Sequence, residues 1–222
     1  MTYFISFSGK KQTGKDASTA IAKKLLEANG KSVTVTAFAE PLKRMCIDIL
    51  GLDEALVYGS NEDKDTLTHI GWDTFPQSIR EKYSLKTETH HPDTYLDHLK
   101  SRTVKIPRSG AMTVREVLQV VGTDIFREMF FDTVWADAPF RKPYKDADVV
   151  ILTDCRFPNE KDATEGNGGV VIRLERSTGL TDNHRSEVAL DGYSFEYFYE
   201  NNGTVQQLEE FIANTLTKLG LL

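Results

Sequence analysis

Tyr3-Phe4-Ile5-Ser6-Phe7-Ser8, followed by Gly9-Lys10-Lys11-Gln12-Thr13-Gly14-Lys15-Asp16-Ala17, decides how this chain is read. The first six residues are a short apolar run. Ala17-Ser18-Thr19-Ala20-Ile21-Ala22-Lys23-Lys24-Leu25-Leu26 continues as an amphipathic helix. A buried strand, a Gly-bounded loop ending in Gly-Lys and a helix N-terminus together make a P-loop. In such a loop N–H groups wrap phosphate oxygens, the positive helix end faces them, and the lysine, here Lys15, reaches the β/γ-phosphates. Asp16 stands where Ser or Thr normally offers Mg2+ a hydroxyl. A carboxylate is therefore expected to serve the metal, directly or through water.

Working outward, 222 residues suffice for one α/β domain carrying a small insertion. Hydrophobic residues at 40% and charged residues at 27% fit a soluble globular chain. No apolar run approaches the ~20 residues that span a bilayer, and the N-terminus lacks the basic and apolar regions of an export signal. Cys46 and Cys155 lie far apart without a CxxC pattern, so they read as reduced thiols of a cytoplasmic protein. A net charge of −6 argues against a general basic field that recruits nucleic acid. An anionic small molecule remains accessible, because a P-loop and a few arginines act locally.

Ser32-Val33-Thr34-Val35-Thr36-Ala37-Phe38 reads as a second strand. Pro41 opens a helix with a Leu42, Met45, Cys46, Ile49, Leu50 stripe that Gly51 ends. The stretch of about 53–110 is polar, holds four of the five histidines and lacks sustained periodicity. It reads as an excursion over the active site, with short helices near Asp65–Ile70 and Pro92–Lys100. Thr113-Val114-Arg115-Glu116 has capping-box spacing, and Val114, Val117, Leu118, Val121 and Ile125 extend a helical stripe. Asp148–Asp154 and Gly169–Glu175 are buried strands, Tyr193–Tyr199 a short last one, and Thr204 caps a final amphipathic helix. Strands alternating with helices imply an α/β fold: a parallel sheet with helices on both faces.

Ligands of open α/β sheets bind beyond the carboxyl ends of the strands. That rule groups the P-loop with Glu40-Pro41-Leu42-Lys43 and with Asp154-Cys155-Arg156. Asp154 ends a Val-Val-Ile-Leu run, as the metal-associated acid of a P-loop protein does, or it caps a following helix. Arg156, two residues on, offers a planar fork suited to phosphate. Arg115 and Gln119 share a helix face, with Gly122, Thr123 and Asp124 one turn later and Trp135 beyond. Cation, amide, small gap, hydroxyl and stacking ring are the parts a nucleotide needs. His90, His91 and His98 lack partners of metal-ligand spacing and read as loop residues. No nucleophile-elbow sequence accompanies the Ser, His and Asp residues, so no hydrolase triad is assigned.

The P-loop ending Gly-Lys-Asp, Phe38-Ala39-Glu40-Pro41-Leu42-Lys43, Arg115-x3-Gln119-x2-Gly122-Thr123-Asp124, Trp135 and Asp154-x-Arg156-x3-Glu160 occur in one order. In that order they resemble the tailed-phage deoxynucleoside monophosphate kinases, as do His184-Arg185-Ser186-Glu187 and Asn202-Gly203-Thr204. The resemblance implies a P-loop nucleoside monophosphate kinase-like fold over residues 1–222, with a mobile lid or acceptor-site insertion at about 53–110. It implies phosphoryl transfer from ATP·Mg2+ to a deoxynucleoside monophosphate, in the host cytoplasm if the chain is phage-encoded. Gln12, Gly14, Lys15, Asp16 and Ala17 would contact ATP. Lys11, Leu42, Lys43, Arg115, Gly122, Thr123, Trp135, Asp154, Arg156 and Glu160 would contact the deoxynucleotide. Lys15, Arg115 and Arg156 would be catalytic, and Asp16 and Asp154 would hold Mg2+. Gln12 and Ala17 stand where the family can carry arginine and threonine, which leaves those contacts to the backbone. The family's arginine from the inserted region has only Lys64 and Arg80 as candidates.

Expected partners are small-molecule nucleotides, not nucleic acid or membrane, and a homodimer is compatible with the sequence. A P-loop retained as structure only is a further possibility that ATP affinity tests, and two rivals stand beside this reading. One is another small-molecule P-loop kinase, similar to phosphomevalonate kinase in its Gly-Lys-Asp loop. The other is a nucleic-acid-linked P-loop ATPase, which would want an acid where Cys155 follows Asp154. If residues 53–110 close over bound nucleotides, limited proteolysis cuts there in the free protein. A bisubstrate analogue linking adenosine to a deoxynucleoside through phosphates then protects it, and unchanged cleavage at saturation removes the lid role.

Overall fold

The computed structural model describes residues 2–89, 102–177 and 188–222. The expected helix near Pro92–Lys100, the three loop histidines and the His184–Glu187 motif lie outside the described residues. Chain order begins β1 (Tyr3–Ser8), α1 (Lys15–Ala28), β2 (Val33–Thr36) and α2 (Glu40–Asp48). Shorter elements follow: α3 (Glu54–Tyr58), α4 (Asn61–Lys64), β3 (Leu67–Gly71), α5 (Gln77–Lys82), β4 (Leu85–Thr89), β5 (Arg102–Ile106) and β6 (Ala111–Thr113). Helix α6 (Val114–Gln119) passes into a π-helical segment, Val120–Arg127. The chain then forms α7 (Val134–Arg141), β7 (Val149–Cys155), α8 (Pro158–Gly166), β8 (Val170–Glu175), β9 (Tyr197–Glu200) and α9 (Val205–Lys218). Packing divides these into two compact units, Met1–Pro41 with Asp132–Leu222, and Leu42–Phe131.

The first unit is built on a five-stranded sheet in the order β2-β7-β1-β8-β9, every neighbouring pair parallel. Strand periodicity distributes its side chains. Ile5, Phe7, Val149, Ile151, Ile172 and Leu174 face one way and pack with Ala22 and Leu26 of α1 and Leu208, Ile212 and Leu216 of α9. Phe38, Leu152, Cys155, Val171 and Leu190 form a separate core, joined by Phe4, Phe140 and Phe195. Apolar residues on both faces are what a sheet covered on both sides demands. Each large side chain sealed there contributes about 1.5–3 kcal/mol. One buried polar pair bridges the sheet to α8: Ser6 Oγ and Thr164 Oγ1 are 2.8 Å apart, and Thr164 Oγ1 donates to Glu160 O. This is the expected α/β fold with a parallel sheet.

The second unit packs around Trp72, with Cys46, Leu52, Val57, Ile79, Met112, Val114, Val117, Val120 and Val121. Two antiparallel pairs, β3 with β6 and β4 with β5, belong to it. Three expectations are corrected here. Asp65–Ile70 is not a helix; Leu67–Gly71 is a strand, because Leu67 pairs with Thr113 and Gly71 with Ala111, partners no local pattern reveals. The helix from Val114 widens at Val120 rather than continuing as one α-helix to Ile125. Ile49, placed on the α2 stripe, lies beyond the helix end and is 75% exposed.

Both cysteines are free and buried. Burial pushes the Cys46 thiol up to about 11. Cys155 is raised well above the ordinary thiol range, first by burial and then by the Glu160 and Asp154 carboxylates. Because the thiolate is the nucleophile, iodoacetamide at neutral pH should label neither cysteine in the folded protein and both after denaturation. Rapid labelling of native protein, read by mass spectrometry, would contradict this packing.

Candidate active site

After Ser8 the chain enters backbone that side chains tolerate poorly. Gly9 has φ 153° and Gly14 φ 98°, and Gln12, at 64°, is the one positive-φ residue other than glycine among the described residues. A Cβ on Gly9 would press on Thr13 Oγ1 and lie 2.5 Å from Leu174 O. A Cβ on Gly14 would run into Asn201 Nδ2. The loop is held in this shape from inside and outside. Thr13 Oγ1 donates to Lys10 O at 2.9 Å, and Asn201 Nδ2, just past β9, donates to Thr13 O at 2.9 Å. Lys15 Nζ donates to the carbonyls of Gly9 and Lys10, both at 2.8 Å. Gln12, Asp16 and Ala17 are exposed around it, so the residues that the resemblance assigns to ATP share one accessible loop and helix turn, with Lys11, assigned to the deoxynucleotide, exposed on the same loop.

A charged brace lies alongside. Arg173, on β8, is 3% exposed, and its Nη1 donates to Ser8 Oγ at 3.2 Å. Its Nη2 lies 3.4 Å from Asp191 Oδ1, while Lys10 Nζ donates to Asp191 Oδ2 at 2.7 Å. A buried arginine must be paired, and Asp191 ties it to the loop. Sequence reading missed Asn201, Arg173 and Asp191. A charge interrupting Val170-Val171-Ile172-Arg173-Leu174 was a usable signal; nothing local marked Asp191.

Register places Ser8 opposite Cys155, so Arg156 leaves the strand beside the one that feeds the P-loop. Asp154 Oδ1 accepts from Phe38 N at 2.6 Å, and Oδ2 from Ala39 N at 3.4 Å. The carboxylate therefore anchors the turn entering α2. Glu160 is 3% exposed, and its Oε2 accepts from Arg156 N and Phe157 N at 2.8 and 3.1 Å. It fixes the turn on which Arg156 sits. Trp135, on α7, is 7% exposed.

In the second unit Leu42 packs on Gly122, where an added Cβ would lie 2.6 Å from Leu42 Cδ2 and push that side chain aside. Lys43 Nζ lies 4.7 Å from the Tyr58 ring centroid. Arg115 Nε donates to Asp65 Oδ1 at 2.8 Å, and its Nη2 to Asn61 O at 3.1 Å. Thr123 is exposed beside the buried Gly122. Lys64 and Arg80 are engaged locally, Lys64 Nζ on Gly59 O and Arg80 Nε on Arg108 O, each at 2.8 Å.

No group of three or more His, Cys, Asp or Glu among the described residues encloses a metal. Mg2+ needs no such cage, since it keeps waters and takes one or two carboxylates plus substrate phosphates. An exposed Asp16 beside Lys15 suits that donor set. Asp154 suits it less fully, because both of its oxygens already accept backbone N–H groups.

Comparison with known proteins adds to this geometry. The profile of the deoxynucleotide monophosphate kinase family matches residues 61–212. A protein of Acanthamoeba polyphaga mimivirus, provisionally described as a deoxynucleotide monophosphate kinase, is 27% identical over 228 residues, covering 96% of this chain and 94% of the relative.

Gly9→Ala sets a methyl group against a carbonyl oxygen that cannot yield. It should weaken nucleotide binding at least ~10-fold and lower the melting temperature, in line with the ~1–3 kcal/mol stored by strained backbone. Asn201→Ala should weaken binding without comparable loss of stability. Unchanged affinity in both variants, measured by calorimetry, would refute this account of the loop.

Proposed function

The chain belongs to the deoxynucleotide monophosphate kinase family, and from that premise we propose that ATP is its phosphoryl donor and the 5′-phosphate of a deoxynucleoside monophosphate its acceptor. The family makes it a phosphotransferase. The observation that carries the choice of donor is the loop after β1: positive-φ glycines, an exposed first helix turn and Lys15 held across the loop carbonyls.

The acceptor oxygen belongs to a phosphate largely ionised at neutral pH, so no strong general base is required. Catalysis is then positioning and charge neutralisation. Gln12, Gly14, Asp16 and Ala17 hold the donor phosphates with Lys15, whose ammonium follows the γ-phosphoryl as it moves. Arg156 offers a guanidinium fork, and Arg115 its Nη1, to the acceptor phosphate and the transferred group. Arg115 is suited to this, since its Nε and Nη2 are committed to Asp65 and Asn61 while its Nη1 has no hydrogen-bond partner among the described residues. Lys11, Leu42, Lys43, Gly122, Thr123, Trp135, Asp154 and Glu160 complete the acceptor contacts, Trp135 by stacking on the base. Mg2+ would be held by Asp16, with Asp154 as a second carboxylate. When bound, it neutralises charge on the donor phosphates.

Incubating the protein with ATP and each of the four dNMPs and NMPs, and reading ADP and diphosphate products, tests this directly. Turnover confined to a non-nucleotide phosphate acceptor would overturn the acceptor assignment. Lys15→Ala should lower kcat at least ~10²-fold in a folded protein. Arg115→Ala and Arg156→Ala should each cost about 2–4 kcal/mol in kcat/KM. Trp135→Ala should instead raise the acceptor KM, and unchanged acceptor kinetics in all three would show the site misplaced.

A further inference from the structure

Asp124 belongs to the Gly122-Thr123-Asp124 motif, yet none of the roles above uses it. Its side chain turns inward: the residue is 3% exposed, next to an exposed Thr123 and a Gly122 closed over by Leu42. Both carboxylate oxygens are engaged. Oδ1 accepts from Lys82 Nζ at 2.9 Å, and Oδ2 from the Tyr83 hydroxyl at 2.7 Å. Lys82 also bridges to Glu128, and the Tyr83 ring packs against Trp72 with centroids 5.0 Å apart. The clamp thus comes from the end of α5, within the polar stretch that carries little periodicity.

The backbone that bears Asp124 is unusual. Val120–Arg127 is π-helical, a rare geometry that occurs frequently at functional sites. A widened turn is held only when its surroundings over-determine it. A buried carboxylate does this well, because it must face its partners or go unpaired at high cost. With Asp124 fixed inward, its neighbours have no freedom: Thr123 is presented outward, and Gly122 lies under Leu42.

We propose that Asp124 is a positioning residue for the acceptor nucleotide, clamped by Lys82 and Tyr83 so that the π-helical turn presents Thr123, and Leu42 seated on Gly122, to the deoxynucleoside monophosphate. The inference rests on the reading that those two residues meet the acceptor. It gives part of the 53–110 stretch a definite task, which is to supply the clamp.

Steady-state kinetics with both substrates varied test it. Asp124→Ala should raise the dNMP KM about tenfold, as expected for lost hydrogen bonds to a charged group. The ATP KM should stay within about twofold and kcat within about threefold. Asp124→Asn should restore most of the affinity, because its amide can accept from Lys82 and donate to Tyr83. Tyr83→Phe, which leaves the carboxylate in place, should raise the dNMP KM by a smaller factor and carries the test if Asp124→Ala does not fold. A dNMP KM unchanged in Asp124→Ala and Tyr83→Phe, or equal rises for both substrates, overturns the inference. Arg115→Ala, run in parallel, separates the two failures. If it raises the dNMP KM and the clamp variants do not, only the clamp is wrong. If none of them does, the acceptor placement fails as well.

Discussion

Ser8 is paired on one side with Cys155 and on the other with Arg173, so the chain leaves β1 in the middle of the sheet. Everything in the first unit follows from that double pairing. A loop emerging between two strands has backbone on both flanks. It must turn where a Cβ would strike Thr13, Leu174 or Asn201, hence the glycines at 9 and 14. The same pairing brings Arg156 out beside the loop and sets Arg173 beneath it. Register thus puts the Arg173 guanidinium on Ser8, at the start of the loop, and Arg156 at the end of the neighbouring strand.

The sheet is covered on both sides, which is why strands β1, β7 and β8 read as nearly continuous apolar runs. Their legibility in sequence has that physical cause. Helix caps were equally legible: Thr113 with Glu116 and Thr204 with Gln207 form the reciprocal bonds their spacing implies. Strand β3 was not, because its pairing with β6 depends on residues far along the chain. The π-helical widening was hidden for a similar reason. Its stabilising partners, Lys82 and Tyr83, lie about forty residues upstream, while the apolar spacing from Val114 to Ile125 fits an ordinary helix.

Site residues divide along the same line. The local backbone at two candidate positions, the glycine-bounded loop after β1 and the turn at Arg156, was readable because a short motif determines its shape. Those that brace from a distance, Asn201 on Thr13, Asp191 on Lys10 and Asp65 on Arg115, were not, since a lone Asn or Asp in a loop carries no local signature. Asp154 joins both groups. Its position at a strand end was evident, but the fold spends its oxygens on the amides of Phe38 and Ala39.

Lys15 already spans the loop, bonded to the carbonyls of Gly9 and Lys10. A lysine side chain carries roughly 2 kcal/mol of rotamer entropy. Here that disorder is surrendered when the protein folds, not when a nucleotide arrives. The ammonium acts as a resident counter-ion that keeps the carbonyls of Gly9 and Lys10 from repelling one another. An incoming anion exchanges one set of oxygen partners for another around a charge that is already in place. If Lys15 serves the donor as proposed, folding stability and nucleotide affinity draw on the same side chain, and any change that strengthens its carbonyl bonds makes the exchange harder.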